Sequence, residues 1–174
     1  MKQIILLLST IVIFSSCKTL TPFTETIRQK NNLSLQDLKS VQFYTSQDIL
    51  LNREISNSKN QIISGKIKVE NNRQIEEILI PHGTPCLVVD TTKNGRIKLS
   101  FSQNDEKSLT FGLTPNSPRY VLLAEKWNGK EGDVHYGSDV YITKGFSYNA
   151  HLEVNMKDIL KIKRKYKIEK GRKL

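Results

Sequence analysis

The chain has 174 residues, of which 27 are basic and 17 acidic, so its formal net charge is +10. This length suits a single domain of ordinary size and is too short for a large multidomain enzyme. Charged residues make up 25% of the chain and apolar residues 37%, a balance that excludes both an intrinsically disordered chain and a multi-span membrane protein.

The first 16 residues have the pattern of a signal peptide. Lys2 precedes a largely apolar run from Ile4 to Phe14, and two serines follow that run. The run is too short to span a bilayer as a helix, which needs about 20 residues. A basic start, a short apolar run and small residues are instead typical of an exported protein. The sequence therefore predicts that residues 1–16 are a signal peptide and are removed.

The stretch before the first cysteine resembles the lipobox of bacterial lipoproteins. It reads Phe14-Ser15-Ser16-Cys17, a large apolar residue and two small ones followed by the cysteine. An ordinary signal peptidase site needs small residues at the first and third positions before the cut, and Phe14 does not fit the third. The resemblance implies that Cys17 becomes the acylated N-terminus of the mature protein, carrying palmitate-type chains. The alternative is a secreted protein with a free Cys17.

The resemblance also implies where the protein is located. Two or more acyl chains anchor a protein stably, whereas one does not. Lys18 and Thr19 follow the cysteine without an acidic run, which suits a lipoprotein that faces the periplasm. The expected location is therefore the cell envelope, at the periplasmic face of the outer membrane. Residues 17–33 are then predicted to form a lipidated tether, and residues 34–174 a β-rich globular domain.

Two short helices are predicted at the start of the mature chain. Thr21-Pro22 suits a helix cap and first helical position. A second helix is predicted from Leu35 to Lys39, with Ser34 as its N-cap and Asp37 three residues further on. Both helices are too short to be stable alone, so they must pack against the domain.

From Val41 onward, apolar and polar residues alternate with the period of two that β-strands require. About ten short strands are predicted at roughly 8- to 12-residue spacing, with no helical run long enough to connect parallel strands. The fold is therefore predicted to be mostly β and antiparallel, as a barrel, a sandwich or two small barrels. The predicted strands are Val41–Phe43, Ile63–Val69, Ile75–Ile80, Cys86–Val89, Arg96–Phe101, Leu109–Gly112, Tyr120–Lys126, Val134–Ile142, Phe146–Val154 and Leu160–Ile168.

The middle of the chain gives more detailed expectations. Cys86 to Val89 is a continuous apolar run, which predicts a strand covered on both faces. Asn94-Gly95 is a strong hairpin signal, and the loop around it is predicted to be longer than two residues. Residues 80–111 are weakly similar to small SH3-like barrels, a likeness of fold alone. If there are two barrels, the boundary is expected near Pro81 or in the loop 115–118.

The basic charge is concentrated at the C-terminus. Residues 157–174 contain nine basic and two acidic side chains. A strand over residues 160–168 would place four lysines on one face, about 6.8 Å apart, where they could bind the phosphates of anionic lipid or an anionic glycan. The alternative is that these lysines only prevent pairing at a sheet edge. Nucleic acid is not an expected partner outside the cytoplasm. The four residues are Lys161, Lys163, Lys165 and Lys167.

Only weak candidates for chemistry are present. Cys86 lies within an apolar run, which favours a buried structural cysteine over a nucleophile. His82 and Cys86 are four residues apart and could both bind zinc, with His135 as a further weak candidate, but the spacing indicates no complete set of three ligands. His151 is predicted on the polar face of its strand. No metal and no cofactor are therefore expected.

The single tryptophan marks a candidate binding surface. Trp127 lies in a polar, glycine-containing segment over residues 126–133, which is predicted to be a long connection. Tyr136 and Tyr141 follow on the next predicted strand. An exposed Trp with nearby Tyr could stack on a sugar or hold a protein partner. The alternative is that Trp127 covers one end of the core.

No enzyme motif is evident, since the sequence contains no Gly-x-Ser-x-Gly elbow, Walker loop or His-Glu-x-x-His run. We therefore expect a lipid-anchored envelope protein that acts as a binding, accessory or scaffold module, held at the membrane and contacting an envelope protein. Two alternatives stay open. One is an envelope hydrolase with a site around His82 and Cys86, and the other is a cationic module that docks on anionic lipid or glycan.

Overall fold

The computed structural model describes residues 19–55, 65–92, 94–103 and 105–165, with the backbone alone at Arg164 and Lys165. The fold is mostly β, as predicted, and the strands of these residues form two antiparallel sheets. The strands are β1 Leu20–Pro22, β2 Phe43–Thr45, β3 Ile49–Ile55, β4 Lys66–Glu70, β5 Arg73–Ile80, β6 Pro85–Thr91, β7 Ile97–Ser100, β8 Ser108–Thr114, β9 Ser117–Leu122, β10 Trp127–Asn128, β11 Glu131–Tyr136, β12 Asp139–Lys144 and β13 Leu152–Asn155. The helices are α1 Glu25–Lys30, α2 Met156–Lys165 and two 3-10 helices, Asp37–Ser40 and Ser147–Asn149.

The two sheets share one hydrophobic core. The seven-stranded sheet has the order β1-β13-β2-β6-β7-β8-β9, and the six-stranded sheet the order β10-β11-β12-β3-β5-β4. Two isolated bridges, Thr24 to Arg119 and Val121 to His151, join the ends of the larger sheet without a ladder. The described sheets are not closed into barrels, so a sandwich fits better. One cluster of buried side chains draws on both sheets, which argues against two separate barrels.

The proposed sub-boundaries fall at connections within this architecture. The turn at Pro81 carries the chain from β5 in the six-stranded sheet to β6 in the seven-stranded sheet. Residues 115–118 lie at the β8–β9 hairpin, where Thr114 pairs with Ser117. The SH3-like stretch, residues 80–111, supplies β6, β7 and part of β8, which are neighbours in the larger sheet rather than a barrel of their own.

Residues 20–33, which the sequence assigned to a tether, are part of the folded body. β1 pairs with β13, and the side chains of Phe23 and Leu33 are buried in the core. Helix α1 begins three residues later than predicted, because Thr21 is held in the β1 ladder opposite Val154. Thr24 is the N-cap instead, and its hydroxyl accepts the N–H of Ile27 at 3.2 Å.

The reciprocal hydrogen bonds predicted between Ser34 and Asp37 are present, but Ser34 is not the N-cap, because the helix begins at Asp37 and its N-cap is Gln36. The N–H of Asp37 donates to Ser34 Oγ at 3.2 Å, and the N–H of Ser34 donates to Asp37 Oδ2 at 2.7 Å. This reciprocal pair is the geometry of a capping box. The helix that follows is a single 3-10 turn, Asp37–Ser40, which buries Leu38.

The strand from Cys86 was wrongly predicted to be covered on both faces. Cys86 and Val88 point into the core, but the side chain of Leu87 between them is 51% exposed. The hairpin at Asn94-Gly95 has the longer loop that was predicted, because the last ladder pair joins Thr91 to Ile97. Gly95 has a φ of +74°, a conformation that glycine adopts without strain.

Three predicted strands were wrong in extent or type. Residues 134–142 form the β11–β12 hairpin, and residues 146–154 contain a 3-10 turn before β13. Residues 160–165 belong to helix α2, in which Ile159 and Ile162 are buried. The three-residue spacing of these buried side chains is helical, and it outweighs the alternation from which a strand was predicted. Within the described part of the chain, neither helix is both long and apolar enough to cross a bilayer.

Phe23 fastens the N-terminal segment to the body through aromatic packing. Its ring centroid lies 5.0 Å from that of Phe43 in an edge-to-face arrangement. The centroid of Tyr120 is also 5.0 Å away. Phe23 directly follows β1 and packs against one residue of β2 and one of β9. The N-terminal segment is therefore in contact with three strands of the larger sheet.

A cluster of polar side chains supports the same junction. The Arg28 guanidinium donates to both oxygens of Glu25, at 2.8 and 2.5 Å, and the Tyr120 hydroxyl donates to Glu25 Oε2 at 2.8 Å. The hydrogen bonds from Arg28 lower the pKa of Glu25 from its ordinary value of 4.5 to about 2. Burial raises the pKa of Tyr120, which therefore stays a donor.

We predict that Phe23→Ala lowers the free energy of unfolding by about 3–5 kcal/mol, because it leaves a cavity where three rings now meet. Urea unfolding followed by the fluorescence of Trp127 measures this loss. Phe146→Ala is the matched control, since Phe146 is 67% exposed, and it should change stability by no more than about 0.5 kcal/mol. Equal effects of the two substitutions would show that residues 20–33 are not part of the cooperative fold.

Glu25 should make the stability of the fold depend on pH. Its folded pKa lies below the unfolded value, so its contribution is fully present above about pH 4.5 and is lost as the pH falls to about 2. We predict that Glu25→Gln costs about 1–2 kcal/mol at pH 6 and almost nothing at pH 2. Urea titrations across this range test the prediction, with exposed Glu70→Gln as control. A cost for Glu25→Gln that does not change with pH would contradict it.

Candidate functional site

The main candidate site is a groove of about 450 Å³ where the ends of β2, β3, β5 and β12 meet. Three structural elements form its sides: the bend between β2 and β3, the turn after β5 and the turn after β12. Each of these connections is short and held by hydrogen bonds. The lining residues are Ser46, Gln47, Asp48, Leu50, Leu79, His82, Lys144, Gly145 and Phe146.

The floor of the groove is a cross-strand row on the outer face of the six-stranded sheet. Leu50 pairs with Leu79 on one side and with Lys144 on the other. Directly opposite residues share a face of the sheet, so these three side chains lie next to one another. Leu79 and Phe146 are both largely exposed. The groove thus presents two apolar side chains beside Lys144, whose ammonium group pairs with Glu131 Oε1 at 2.5 Å.

The turn that carries Phe146 is held in place by hydrogen bonds from the buried residue that follows it. The hydroxyl of buried Ser147 accepts the N–H of Leu50 at 2.9 Å and donates to the carbonyl of Lys144 at 2.5 Å. Gly145 has a φ of +64°, which a larger residue rarely adopts. On the other side of the groove, Asp48 Oδ1 accepts the N–H of His82 at 2.7 Å. The backbone that carries the exposed side chains of the groove is therefore held in place by hydrogen bonds.

Buried Ser46 and half-buried His151 are hydrogen-bonded at one end of the groove. Ser46 Oγ lies 2.8 Å from His151 Nδ1 and accepts the backbone N–H of His151 at 2.9 Å. His151 Nδ1 also lies 3.2 Å from the carbonyl oxygen of Asn149, which can only accept. This favours a proton on Nδ1, so that the imidazole donates to Ser46 instead of removing its proton. The pair therefore orients the Ser46 hydroxyl but does not activate it as a nucleophile.

The predicted histidine and cysteine candidates do not form one site. Cys86 is 2% exposed, and burial raises the pKa of its thiol well above the ordinary value. His135 Nε2 pairs with Glu125 Oε1 at 2.7 Å on an exposed surface, whereas His82 borders the groove. No group of three or more potential metal ligands occurs among the described residues. Of the residues named from the sequence, His82 borders the groove and His151 contacts its Ser46, but the groove itself and Ser46 were not predicted.

The aromatic residues predicted to form a binding surface do not form one site either. Trp127 is 37% exposed and belongs to a β10–β11 hairpin, not to the long connection that was predicted. Its ring lies over Gly132, where the Cβ of any larger residue would come within 2.6 Å of the indole, so only glycine fits there. Tyr136 and Tyr141 are buried core residues, 6.0 Å apart between ring centroids. Trp127 instead borders a second cleft, of about 360 Å³, together with Arg119 and Tyr148.

The C-terminal lysines lie on a helix rather than on a strand. Lys161 and Lys163 are about 200° apart around α2, so the predicted single row of four does not exist. Lys161 is highly exposed and pairs with Asp158 at 3.0 Å. For Lys165 only the backbone is described, and Lys167 lies outside the described residues, as does Cys17.

A buried ion pair, which sequence reasoning missed, cross-links the inner face of the six-stranded sheet. Glu76 is fully buried, and its Oε2 accepts from Arg53 Nη2 at 2.5 Å and from the Tyr141 hydroxyl at 3.2 Å. Its Oε1 accepts the N–H of Gly65 at 2.9 Å. Arg53 also pairs with Asp139 at 2.5 Å. These contacts link β3, β5 and β12, so we assign Glu76 a structural role.

Comparison of the chain with protein-family models, with curated proteins and with solved structures gives no match.

We predict that Arg53→Met destabilises the fold by about 3–5 kcal/mol, because it leaves the carboxylate of Glu76 buried without its main charge partner. The double variant Arg53→Met with Glu76→Leu should recover most of this loss, since it removes both charges. Arg73→Met is the control, because Arg73 forms an exposed pair with Glu54, and it should cost no more than about 1 kcal/mol. Urea unfolding measures all three; a double variant as unstable as the single one would contradict the assigned role.

Proposed function

We propose that this chain is a lipid-anchored protein of the bacterial cell envelope, whose β-rich body works by binding, as an accessory or scaffold module. The anchor is the acylated Cys17 implied by the lipobox-like stretch Phe14-Ser15-Ser16-Cys17. The partner is an envelope component that the body meets at the membrane surface.

The main support is the short distance in sequence between Cys17 and the folded body. Strand β1 begins at Leu20, three residues beyond the cysteine. An extended chain spans at most about 3.6 Å per residue, so the anchor would lie within about 11 Å of the sheet. Since β1 pairs with β13 and Phe23 is buried next to it, the connection contains no long linker. Such a body stays beside its membrane, which suits a module that acts on components at that surface.

The groove supports binding as the mode of action. Exposed Leu79 and Phe146 lie beside Ser46 and the Lys144–Glu131 ion pair, so apolar and polar groups lie together in the groove. Recognition sites commonly combine a mostly apolar surface with a few fixed polar groups. The turn hydrogen bonds at Asp48 and Ser147 hold this surface in place before any partner arrives.

The same geometry weighs against the hydrolase alternative around His82 and Cys86. The Cys86 thiol faces the core, and its raised pKa keeps it protonated. His82 borders the groove on the opposite side of the turn Pro81–Pro85, with its backbone held by Asp48. The contacts of His151 Nδ1 favour a proton on that nitrogen, and an imidazole in this form donates to Ser46 instead of activating it.

We predict that Cys17→Ala reduces incorporation of radiolabelled palmitate to background, because the acceptor sulfur is lost. Cys86→Ala is the matched control and should keep full labelling, since Cys86 is buried in the body. Mass spectrometry of the wild-type protein should find a mature N-terminal peptide that begins at acylated Cys17. Labelling that survives Cys17→Ala, or an unmodified N-terminus that begins elsewhere, would refute the anchor.

A further inference from the structure

Helix α2 and the chain segment that leads to Cys17 leave the larger sheet at the same end. Strands β1 and β13 are antiparallel, and Leu20, the first residue of β1, pairs with Asn155, the last residue of β13. Paired residues of neighbouring strands lie about 5 Å apart. Helix α2 begins at the next residue, Met156. The first turn of α2 is therefore adjacent to the point at which the predicted anchor joins the body.

Helix α2 has one buried face and one exposed face of mixed character. Ile159 and Ile162 are buried against the core. Lys157, Leu160 and Lys161 are spaced as one helical face, and all three are exposed. Leu160 is 46% exposed although it is apolar. Over the ten residues of α2, five basic groups oppose one acidic group, which gives a charge of +4.

We propose that the exposed face of α2 docks on the anionic lipid headgroups of the membrane that holds Cys17. This inference rests on the proposed lipid anchor, and it adds a second attachment beside the first. The connection from Cys17 to β1 is at most about 11 Å long. The Debye length at physiological salt is about 8 Å, so the start of α2 is held at a comparable distance from the bilayer. At that separation lysines are attracted to anionic lipid. An acyl anchor together with a basic surface holds a protein on a membrane more firmly than either does alone.

The exposed Leu160 favours a lipid surface over an anionic glycan as the binding partner of this helix face. A glycan would satisfy Lys157 and Lys161 but would offer nothing to an exposed leucine between them. At a bilayer, the leucine can enter the boundary between headgroups and acyl chains, while lysines on the same face stay at the phosphates. An apolar residue flanked by lysines is thus the pattern of a helix that lies on a membrane.

The test uses a chain that begins at Lys18, which is the mature protein without its acylated cysteine. All described contacts lie at residue 19 or beyond, so this chain keeps the described fold, and the near-ultraviolet circular dichroism of Trp127 checks that it does. It should sediment with vesicles of phosphatidylglycerol and phosphatidylcholine at low salt. It should not sediment with phosphatidylcholine alone, and about 0.5 M NaCl should release it.

Charge substitutions locate the docking surface. Replacing Lys157 and Lys161 with Gln should weaken vesicle binding about 25-fold, or roughly fivefold for each lysine. The control replaces Lys66 and Lys98, two exposed lysines outside α2, with Gln. It has the same net charge and should bind within about threefold of the unsubstituted chain, since these lysines are not on the docking face. Equal losses in the two variants would overturn the assignment to α2.

A fluorescent label shows whether Leu160 enters the lipid. In the chain from Lys18 the remaining thiol, Cys86, is buried, so an environment-sensitive dye attaches selectively to Leu160→Cys. Its emission should shift to the blue with anionic vesicles and return at high salt. The same dye on Leu87→Cys, an exposed position on β6, should not shift.

Two outcomes would overturn the inference. One is a Leu160→Cys label whose emission does not change with anionic vesicles; the other is vesicle binding that salt does not weaken. If heparin, a soluble anionic glycan, displaces the protein while the label never shifts, the surface binds glycan and not lipid. These experiments use protein without an acyl chain, so their result is independent of palmitate labelling at Cys17. Failure of the docking surface and failure of the anchor can therefore be told apart.

Discussion

The pairing of β1 with β13 is the contact on which the rest of this structure depends. It places residues 20–22 at the edge of the seven-stranded sheet, opposite the last strand of the described residues. Phe23 then enters the core between Phe43 and Tyr120, and Glu25 ties α1 to β9 through the hydroxyl of Tyr120. Apolar packing supplies the stability of this junction, while the half-buried carboxylate of Glu25 fixes its geometry. A segment that could have been a tether is thereby made part of the body.

The six-stranded sheet is organised by a different kind of contact. Its inner face includes Glu76 and Arg53, which are directly opposite each other in the β3–β5 ladder. A slip of β5 by one residue would turn Glu76 to the outer face, away from Arg53, and leave Tyr141 without its acceptor. The ion pair therefore specifies the register of a sheet whose edge strand, β4, is exposed at every position.

The sequence allowed the β-rich class, the capping box at Ser34 and the loop at Asn94-Gly95 to be predicted, because each depends on local pattern or turn chemistry. Predictions from the sequence were wrong or incomplete where contacts between distant residues override the local pattern. Thr21-Pro22 would suit a helix start, but the β13 ladder holds Thr21 extended. Glu76 adjoins Ile75, and alternation alone could not show that the carboxylate faces inward, since that depends on Arg53 on another strand. The groove was missed for the same reason: Ser46 and His151 are 105 residues apart.

One end of β13 lies beside the proposed membrane attachment, and the other end lies beside the candidate groove. Helix α2 follows Asn155 at one end, beside the start of β1. His151 precedes Leu152 at the other end, where it holds Ser46 at the edge of the groove. Four strand residues separate these ends, about 14 Å of extended chain. If the proposed anchor and α2 both lie on the bilayer, the Ser46 end of the groove is raised above the headgroups, where a partner can reach it. A protein fastened at two neighbouring points cannot turn freely about a single acyl anchor, so it would present this groove in a constant orientation.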